Sequence, residues 1–224
     1  TTMTDKNMHQ DGPARLRVGS ALLAGLAICG VLGGCVAAVG GAMVGGSMMA
    51  VDRRSTGAQV DDQTIELRAS SAVGAALGER GHVNTASYNR VVLVTGEVPT
   101  ESDRTKVEAV VTKVENVRAV LNELAVMPNT SLGDRSNDTV ITGKVKAAFI
   151  DAKELQVASI KVVTERSAVF LMGRVTEMES NIAAQVARSV GGVQKVVKVF
   201  EIITPAELAA MPVPPSGAAS AAGK

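Results

Sequence analysis

The sequence predicts an α+β protein in which one unit, helix–strand–strand–helix–strand, occurs twice. Three observations carry this expectation. The run Val91-Val92-Leu93-Val94-Thr95-Gly96-Glu97-Val98 returns in kind as Ala168-Val169-Phe170-Leu171-Met172-Gly173-Arg174-Val175. Each run is preceded by a stretch with apolar residues at helical spacing. Each is followed by a threonine with an acidic residue three positions on, Thr100 with Asp103 and Thr176 with Glu179. That pattern is the signature of a capping box opening a helix.

In the first copy, Asp61 or Asp62 is expected to cap a helix that puts Ile65, Ala69, Ala72, Val73, Ala76 and Leu77 on one face. Gly81 ends it. Residues 83–88 read as a strand, Asn89-Arg90 as a turn, and residues 91–98 as the partner strand, stopped by Pro99. Val107, Val110, Val111 and Val114 form the apolar stripe of a second helix, and residues 117–127 read as the last strand. In the second copy, Asn137 or Asp138 is expected to cap a helix over 139–151 carrying Ile141, Val145, Ala148 and Phe149. Residues 157–164 and 168–175 form the strand pair, Ile182, Val186 and Val190 mark the next helix, and residues 193–203 form the last strand. Gly96 and Gly173 stand mid-strand, where glycine weakens a strand. They point to a bulge or to a helix backbone crossing closely. Each unit has about 65 to 70 residues, near the lower limit for a self-sufficient core, so the two are expected to lean on one another.

The N-terminal region reads as a lipoprotein signal. Arg15 and Arg17 precede an uncharged apolar stretch, residues 18–32, and Leu32-Gly33-Gly34-Cys35 closes it. A basic start, an apolar middle and small residues before a cysteine are what the processing enzymes require. The expected organisation is a signal peptide over 1–34, then lipidated Cys35 with a Gly-rich tether over 35–58. A first domain over 59–128, a linker over 129–136, a second domain over 137–204 and a disordered Ala/Pro-rich tail over 205–224 follow. Residues 18–51 are uncharged for longer than the roughly 20 residues a membrane span needs. Gly33, Gly34, Gly40, Gly41, Gly45 and Gly46 make the second half a poor helix and favour a flexible tether.

Composition narrows function. The net charge is +1, and the chain has one Tyr, three Phe and no Trp. Neither a basic footprint nor a base-stacking platform is available for nucleic acid. Lipidation consumes Cys35, and Cys29 lies in the removed segment, so neither a disulfide nor a thiolate metal site is expected. His82 is the one histidine left after cleavage, too few for a triad or a zinc site. Glu97, Asp103, Glu165, Glu177 and Glu179 lie in contexts that caps and turns explain. No catalytic residue, metal or cofactor is expected, and the chain reads as a non-enzyme.

The segments Gly57-Ala58-Gln59-Val60-Asp61-Asp62, Ser136-Asn137-Asp138-Thr139 and Val169-Phe170-Leu171-Met172-Gly173, the last followed by Val175-Thr176-Glu177, resemble the BON domain. Two such units behind a lipidation motif resemble the dual-BON outer-membrane lipoproteins of the DolP (YraP) type. The resemblance runs over residues 35–204. It implies two αββαβ domains, each a three-stranded mixed sheet packed against two helices. It further implies support of envelope integrity and binding of anionic, phosphatidylglycerol-like phospholipid through the first helix of the second domain. Val36 after Cys35, with no Asp there, agrees with outer-membrane sorting. The body is expected to face the periplasm, with surface exposure as the alternative.

Placed on a helical wheel, Ile141, Val145, Ala148 and Phe149 turn toward the sheet, whereas Val140, Lys144, Lys146, Ala147 and Ile150 fall mainly on the opposite side. Lys153 lies just beyond. Lysines set among aliphatics suit an anionic bilayer, but they also suit an ordinary solvated helix face. The resemblance favours the lipid. A second function class stays open, a periplasmic interaction scaffold for envelope assembly or cell-wall enzymes.

Overall fold

A computed structural model describes residues 52–211, which belong to one compact unit. The expected signal peptide, Cys35, tether residues 36–51 and residues 212–224 lie outside the described residues. Two helix–strand–strand–helix–strand units are present. The first comprises α1 (Thr56–Leu77), β1 (His82–Tyr88), β2 (Val91–Val98), α2 (Glu101–Thr112), β3 (Ala119–Asn122) and β4 (Ala125–Val126). The second comprises α3 (Leu132–Asp151), a 3-10 turn (Val157–Ser159), β5 (Ile160–Glu165), β6 (Ala168–Val175), α4 (Glu177–Ser189) and β7 (Lys195–Ile202), followed by a short α5 (Pro205–Ala210). Both sheets are mixed. β2 pairs antiparallel with β1 and parallel with β3 and β4, and β6 pairs antiparallel with β5 and parallel with β7.

The central strands explain how the units are joined. Side chains alternate across a strand. Val92, Val94 and Val98 therefore enter a core with Ile65, Ala69, Val73, Leu77, Val107 and Val111 from α1 and α2. Val169, Leu171 and Val175 enter a matching core with Ile141, Val145, Phe149, Ala183 and Ala187 from α3 and α4. The other faces meet each other. Ala86, Tyr88 and Leu93 of the first sheet form a third cluster with Phe170 and Met172 of the second. A strand buried on both faces reads as a continuous apolar run, which is how both runs read in the sequence. The expected leaning of the units is thus a sheet-on-sheet interface.

The helices begin earlier than expected, and the aspartates have another task. Ser55 caps α1 by accepting from the Ala58 amide at 3.1 Å. Ser131 caps α3 in a capping box with Asp134. Asp62 and Asp138 lie inside their helices, buried. Asp62 accepts from the amides of Asn89 and Arg90, both at 2.8 Å. Asp138 accepts from the amides of Arg166 at 2.7 Å and Ser167 at 2.8 Å. Those pairs are the tips of the two β-hairpins, and all four residues have positive φ, 49° and 65°, then 50° and 59°. A two-residue loop with φ > 0 at both positions matches strand twist but disfavours non-glycine residues. A helix aspartate clamps the strained turn in each unit.

Other corrections are local. Helix α3 begins at Leu132, within the stretch read as linker, and α1 begins at Thr56, within the stretch read as tether. The single strand over 117–127 is two short pieces, because Leu124 turns into the core and the Glu123 amide donates to the Val94 carbonyl. Residues 157–159 form the 3-10 turn ahead of β5. On α4 the core takes Ala183, Ala184 and Ala187, while Ile182, Val186 and Val190 are only partly buried. The tail is not wholly irregular: Thr204 and Glu207 form a capping box on α5, with Pro205 at its start. A Cβ on Gly96 would lie 2.0 Å from the His82 carbonyl oxygen, and one on Gly173 would lie 2.3 Å from that of Ser159. The close neighbour is the adjoining strand for Gly96 and the end of the 3-10 turn leading into β5 for Gly173.

Burial alone would raise the Asp62 carboxyl. The Arg90 amide, Ser87 hydroxyl, Arg54 guanidinium and Asn89 amide together outweigh it and hold the group below the usual carboxylate range. A depressed carboxylate stabilises the fold fully above its unfolded value, about 3.9, and loses that contribution as pH falls through its folded value. Urea unfolding of residues 52–211 is expected to show stability falling steeply below about pH 4, with a shallower fall for Asp62→Asn. At neutral pH, Asp62→Ala is expected to cost about 3 kcal/mol, because it strands several buried donors at once. Gly173→Ala should cost at least about 3 kcal/mol, because the Ser159 carbonyl has no flexible end to yield. A Gly173→Ala protein as stable as the parent would contradict the close approach.

Candidate functional site

The helix α3 presents the expected face to solvent. Ile141, Val145 and Phe149 are fully buried against the sheet. Val140 is 53% exposed and Ile150 70%. Lys144, Lys146, Ala147 and Lys153 are also exposed. Leu132, at the first turn, is 79% exposed and was missed by the sequence reading, because the helix was started at residue 139. At 100° per residue, Leu132, Gly143 and Ile150 fall near the middle of this face, with Val140 and Ala147 beside them. Lys144 borders one side and Lys146 the other. The signal that reveals Leu132 is Ser131-x-x-Asp134, a capping box about two turns upstream of the expected start.

Charge on this face is unpaired. Among the described residues, neither Lys144 nor Lys146 has an ion-pair partner. Asp151 and Glu154 lie near Lys153 at the C-terminal end. The positive charge is therefore concentrated on Lys144 and Lys146, not on Lys153. The corresponding helix α1 differs. It exposes Val60 and Leu67, but Arg68 pairs with Glu115, and Asp61 pairs with Arg90 at 2.6 Å. A groove of about 500 Å³ lies between α1 and β1 and includes Glu66 and Leu67. Its one charged side chain, Glu66, is paired with Lys161, so the groove offers no free cation to an anionic surface.

The two domains are locked by polar contacts around the apolar interface. The edge strands β1 and β5 are bridged by Asn84 donating to Glu165 at 2.9 Å, Lys161 to the Ser87 carbonyl at 3.2 Å, and the Tyr88 hydroxyl to the Ser159 carbonyl at 3.1 Å. Lys161 also pairs with Glu66. Burial, aided by the charge of Asp52, pushes the Tyr88 hydroxyl up to about 12, so it stays a donor. Glu97, fully buried, accepts from Arg166 at 3.1 Å and from the Thr130 amide and hydroxyl at 3.3 and 3.2 Å. Glu201 gathers Asn89 at 2.7 Å, Arg118 at 3.1 Å and Arg174 at 3.0 Å.

The residues just before α1 cross to the second domain. Arg53 donates to both Glu179 carboxylate oxygens, at 2.7 and 2.8 Å, and to the Arg174 carbonyl at 2.9 Å. Burial raises the Glu179 carboxyl, but Arg53 and the Thr176 donors outweigh it and hold it low. Arg54 bonds Asp62 at 2.7 Å and lies 4.2 Å above the Tyr88 ring. The N-terminal segment thus reaches the second domain rather than only the first.

The BON domain family matches residues 61–128 and again residues 137–204. This chain belongs to the BON-domain family. It is 40% identical over 175 residues to the outer membrane lipoprotein DolP of Haemophilus influenzae, which covers 77% of this chain and 90% of that protein. It is 35% identical over 155 residues to a 21 kDa hemolysin of Actinobacillus pleuropneumoniae, covering 68% of this chain and 80% of that one. Among solved structures, the C-terminal domain of CdsD, a type III secretion structural protein of Chlamydia trachomatis, aligns at TM-score 0.26 and 9% identity over 60% of this chain and 96% of that one. That likeness is too slight to carry a conclusion. The chain is a dual-BON protein of the DolP type.

In this dual-BON protein, Arg53→Ala is expected to cost about 2 to 3 kcal/mol, since it leaves the buried Glu179 carboxylate without its cationic partner. Double-mutant cycles with Glu179→Ala check this. A coupling energy near zero would show that the strap does not hold the second domain.

Proposed function

We propose that this chain is anchored in the outer membrane through a lipid on Cys35, with its body facing the periplasm, and that it supports envelope integrity by docking its second BON domain on anionic phospholipid. The observation that carries the proposal is the α3 face, where unpaired Lys144 and Lys146 border the exposed Leu132, Val140 and Ile150. Lysines near an anionic surface contribute about 1 kcal/mol each, and the aliphatics enter the headgroup boundary. Two lysines and three aliphatics make a weak binder in free solution. A lipid anchor on the same chain compensates by raising the effective concentration of bilayer. The docking role is binding, not catalysis, in keeping with a chain nearly without histidine and free thiol.

Residues 52–211 are expected to bind vesicles containing phosphatidylglycerol and not vesicles of phosphatidylcholine alone. Lys144→Glu with Lys146→Glu should weaken binding by about 30-fold or more, counting the lost attraction and the added repulsion. Val140→Trp should strengthen it, since an indole settles at the interface far better than valine. Equal binding to both vesicle types would end the proposal. In cells, Cys35→Ala should move the protein out of the membrane fraction; unchanged fractionation would refute the anchor.

The scaffold reading draws on a different feature, the α1–β1 groove with exposed Leu67 beside it. Crosslinking from position 67 in intact cells is expected to capture an envelope protein if that groove is used. Its failure, with vesicle binding intact, would leave the lipid reading alone.

A further inference from the structure

The two-residue hairpin fixes which backbone groups of β1 face outward. Tyr88 and Val91 flank the loop and form a hydrogen-bonded pair, and bonded and non-bonded pairs alternate from there. Ala86, Asn84 and His82 therefore turn their N–H and C=O groups to β2. Ser87, Thr85 and Val83 turn theirs to the outer edge of the sheet. At Ser87 those groups are taken: the N–H donates to Glu66 Oε1 at 2.6 Å, and the carbonyl accepts from Lys161 Nζ at 3.2 Å. Those two side chains close the C-terminal end of the edge and continue the interface between the domains. Among the described residues, no hydrogen bond reaches the outward N–H or C=O of Thr85 or Val83. The groove of about 500 Å³ runs along this open stretch. Its other wall is one stripe of α1, Gln63, Glu66, Leu67 and Ser70, at helical spacing. Leu67 is 75% exposed, and Glu66 is already paired with Lys161, so no free charge lines the groove. The second domain does not repeat this wall. Counted from the clamp aspartates Asp62 and Asp138, Gly143 and Lys146 stand in α3 where Leu67 and Ser70 stand in α1. Thr142, in the place of Glu66, donates to the Thr164 hydroxyl of β5 at 2.7 Å.

We infer that this groove takes an extended, uncharged segment of another protein, added to β1 as a further strand. The inference rests on the scaffold reading and names its mode of binding. Outward residues two apart recur at about 6.8 Å along the edge. An extended backbone offers acceptors and donors at the same repeat, so Val83 and Thr85 together make four hydrogen bonds with it. A lipid headgroup has no such repeat. Side chains of the added strand alternate. Those turned to α1 meet Leu67 and are aliphatic, whereas those turned the other way pass Asn84 and are polar. A charge facing α1 would lose water and gain no partner.

The test titrates the full chain, in a neutral detergent, with a capped five-residue peptide of alternating threonine and valine. Saturable shifts of the Leu67, Val83 and Thr85 amide resonances are expected. N-methylation of the two peptide amides on the pairing edge should weaken binding about tenfold or more, since two backbone hydrogen bonds are lost. No saturable shift, or equal affinity of the N-methylated peptide, would overturn strand addition. Displacement of the peptide by short-chain phosphatidylglycerol would give the groove to lipid and overturn it too. In the protein, Thr85→Pro removes an edge N–H that has no partner in the free chain, a change that edge strands accept. It should weaken the peptide by a similar factor, as should Leu67→Asp. If Thr85→Pro fails to fold, the exposed Leu67 decides, and unchanged affinity in Leu67→Asp overturns the groove. In intact cells, a photocrosslinking residue at position 67 is expected to give a protein adduct that Thr85→Pro removes. An adduct that persists in folded Thr85→Pro overturns strand addition and leaves the scaffold reading standing. Absence of both the adduct and the peptide shifts overturns the two together.

Discussion

Burial of both faces of β2 and β6 is the constraint on which the structure depends. Each strand gives one row of side chains to its own helices and the other to the opposite sheet, where Leu93 meets Phe170 and Met172. A unit of about 70 residues buries too little surface to stand far above its unfolding threshold. Sharing a sheet face supplies what each lacks. Once the sheets are stacked, the edges β1 and β5 lie beside each other, and side chains bridge them. Both edges are thereby covered in part against pairing with other chains.

The same stacking decides what is left for function. The sheet faces are consumed by the interface, and the inner helix faces by the two cores. Among the described residues, what remains open is the outer faces of the helices and the grooves beside them. On α1 the arginine is neutralised by Glu115, and the neighbouring groove offers no free cation. On α3 the lysines are unpaired and surround exposed aliphatics. Two copies of one unit thus present different outer surfaces, and the difference lies in a few charged side chains rather than in the fold. The Arg53 contact with Glu179 links the residues preceding α1 to the domain that carries this face.

Internal repetition made much of the fold legible. The two hairpins follow from alternation, the turn residues and the paired glycines. The inner faces of α1, α2 and α3 follow from helical spacing. Helix starts were misplaced because Asp62 and Asp138 look like caps, and cap and clamp draw on the same chemistry, a carboxylate accepting backbone amides. Local sequence does not say whether those amides belong to the first turn of a helix or to a hairpin 27 to 29 residues away. Leu132 was lost from the α3 face for that reason. The open stretch of the β1 edge was not legible at all, since the side chains that close its other end come from α1 and from the second domain.

The sequence by itself determined the repeated unit and the apolar rows, because these depend on residue order. It also set which side of α3 faces outward, because a helix has a fixed period. Tertiary structure decided that the two sheets share an interface, that the buried aspartates hold hairpin tips, and that Glu66 and Lys161 close one end of the β1 edge. These depend on contacts between residues far apart in the chain, and their energies exist only once the two sheets have come together.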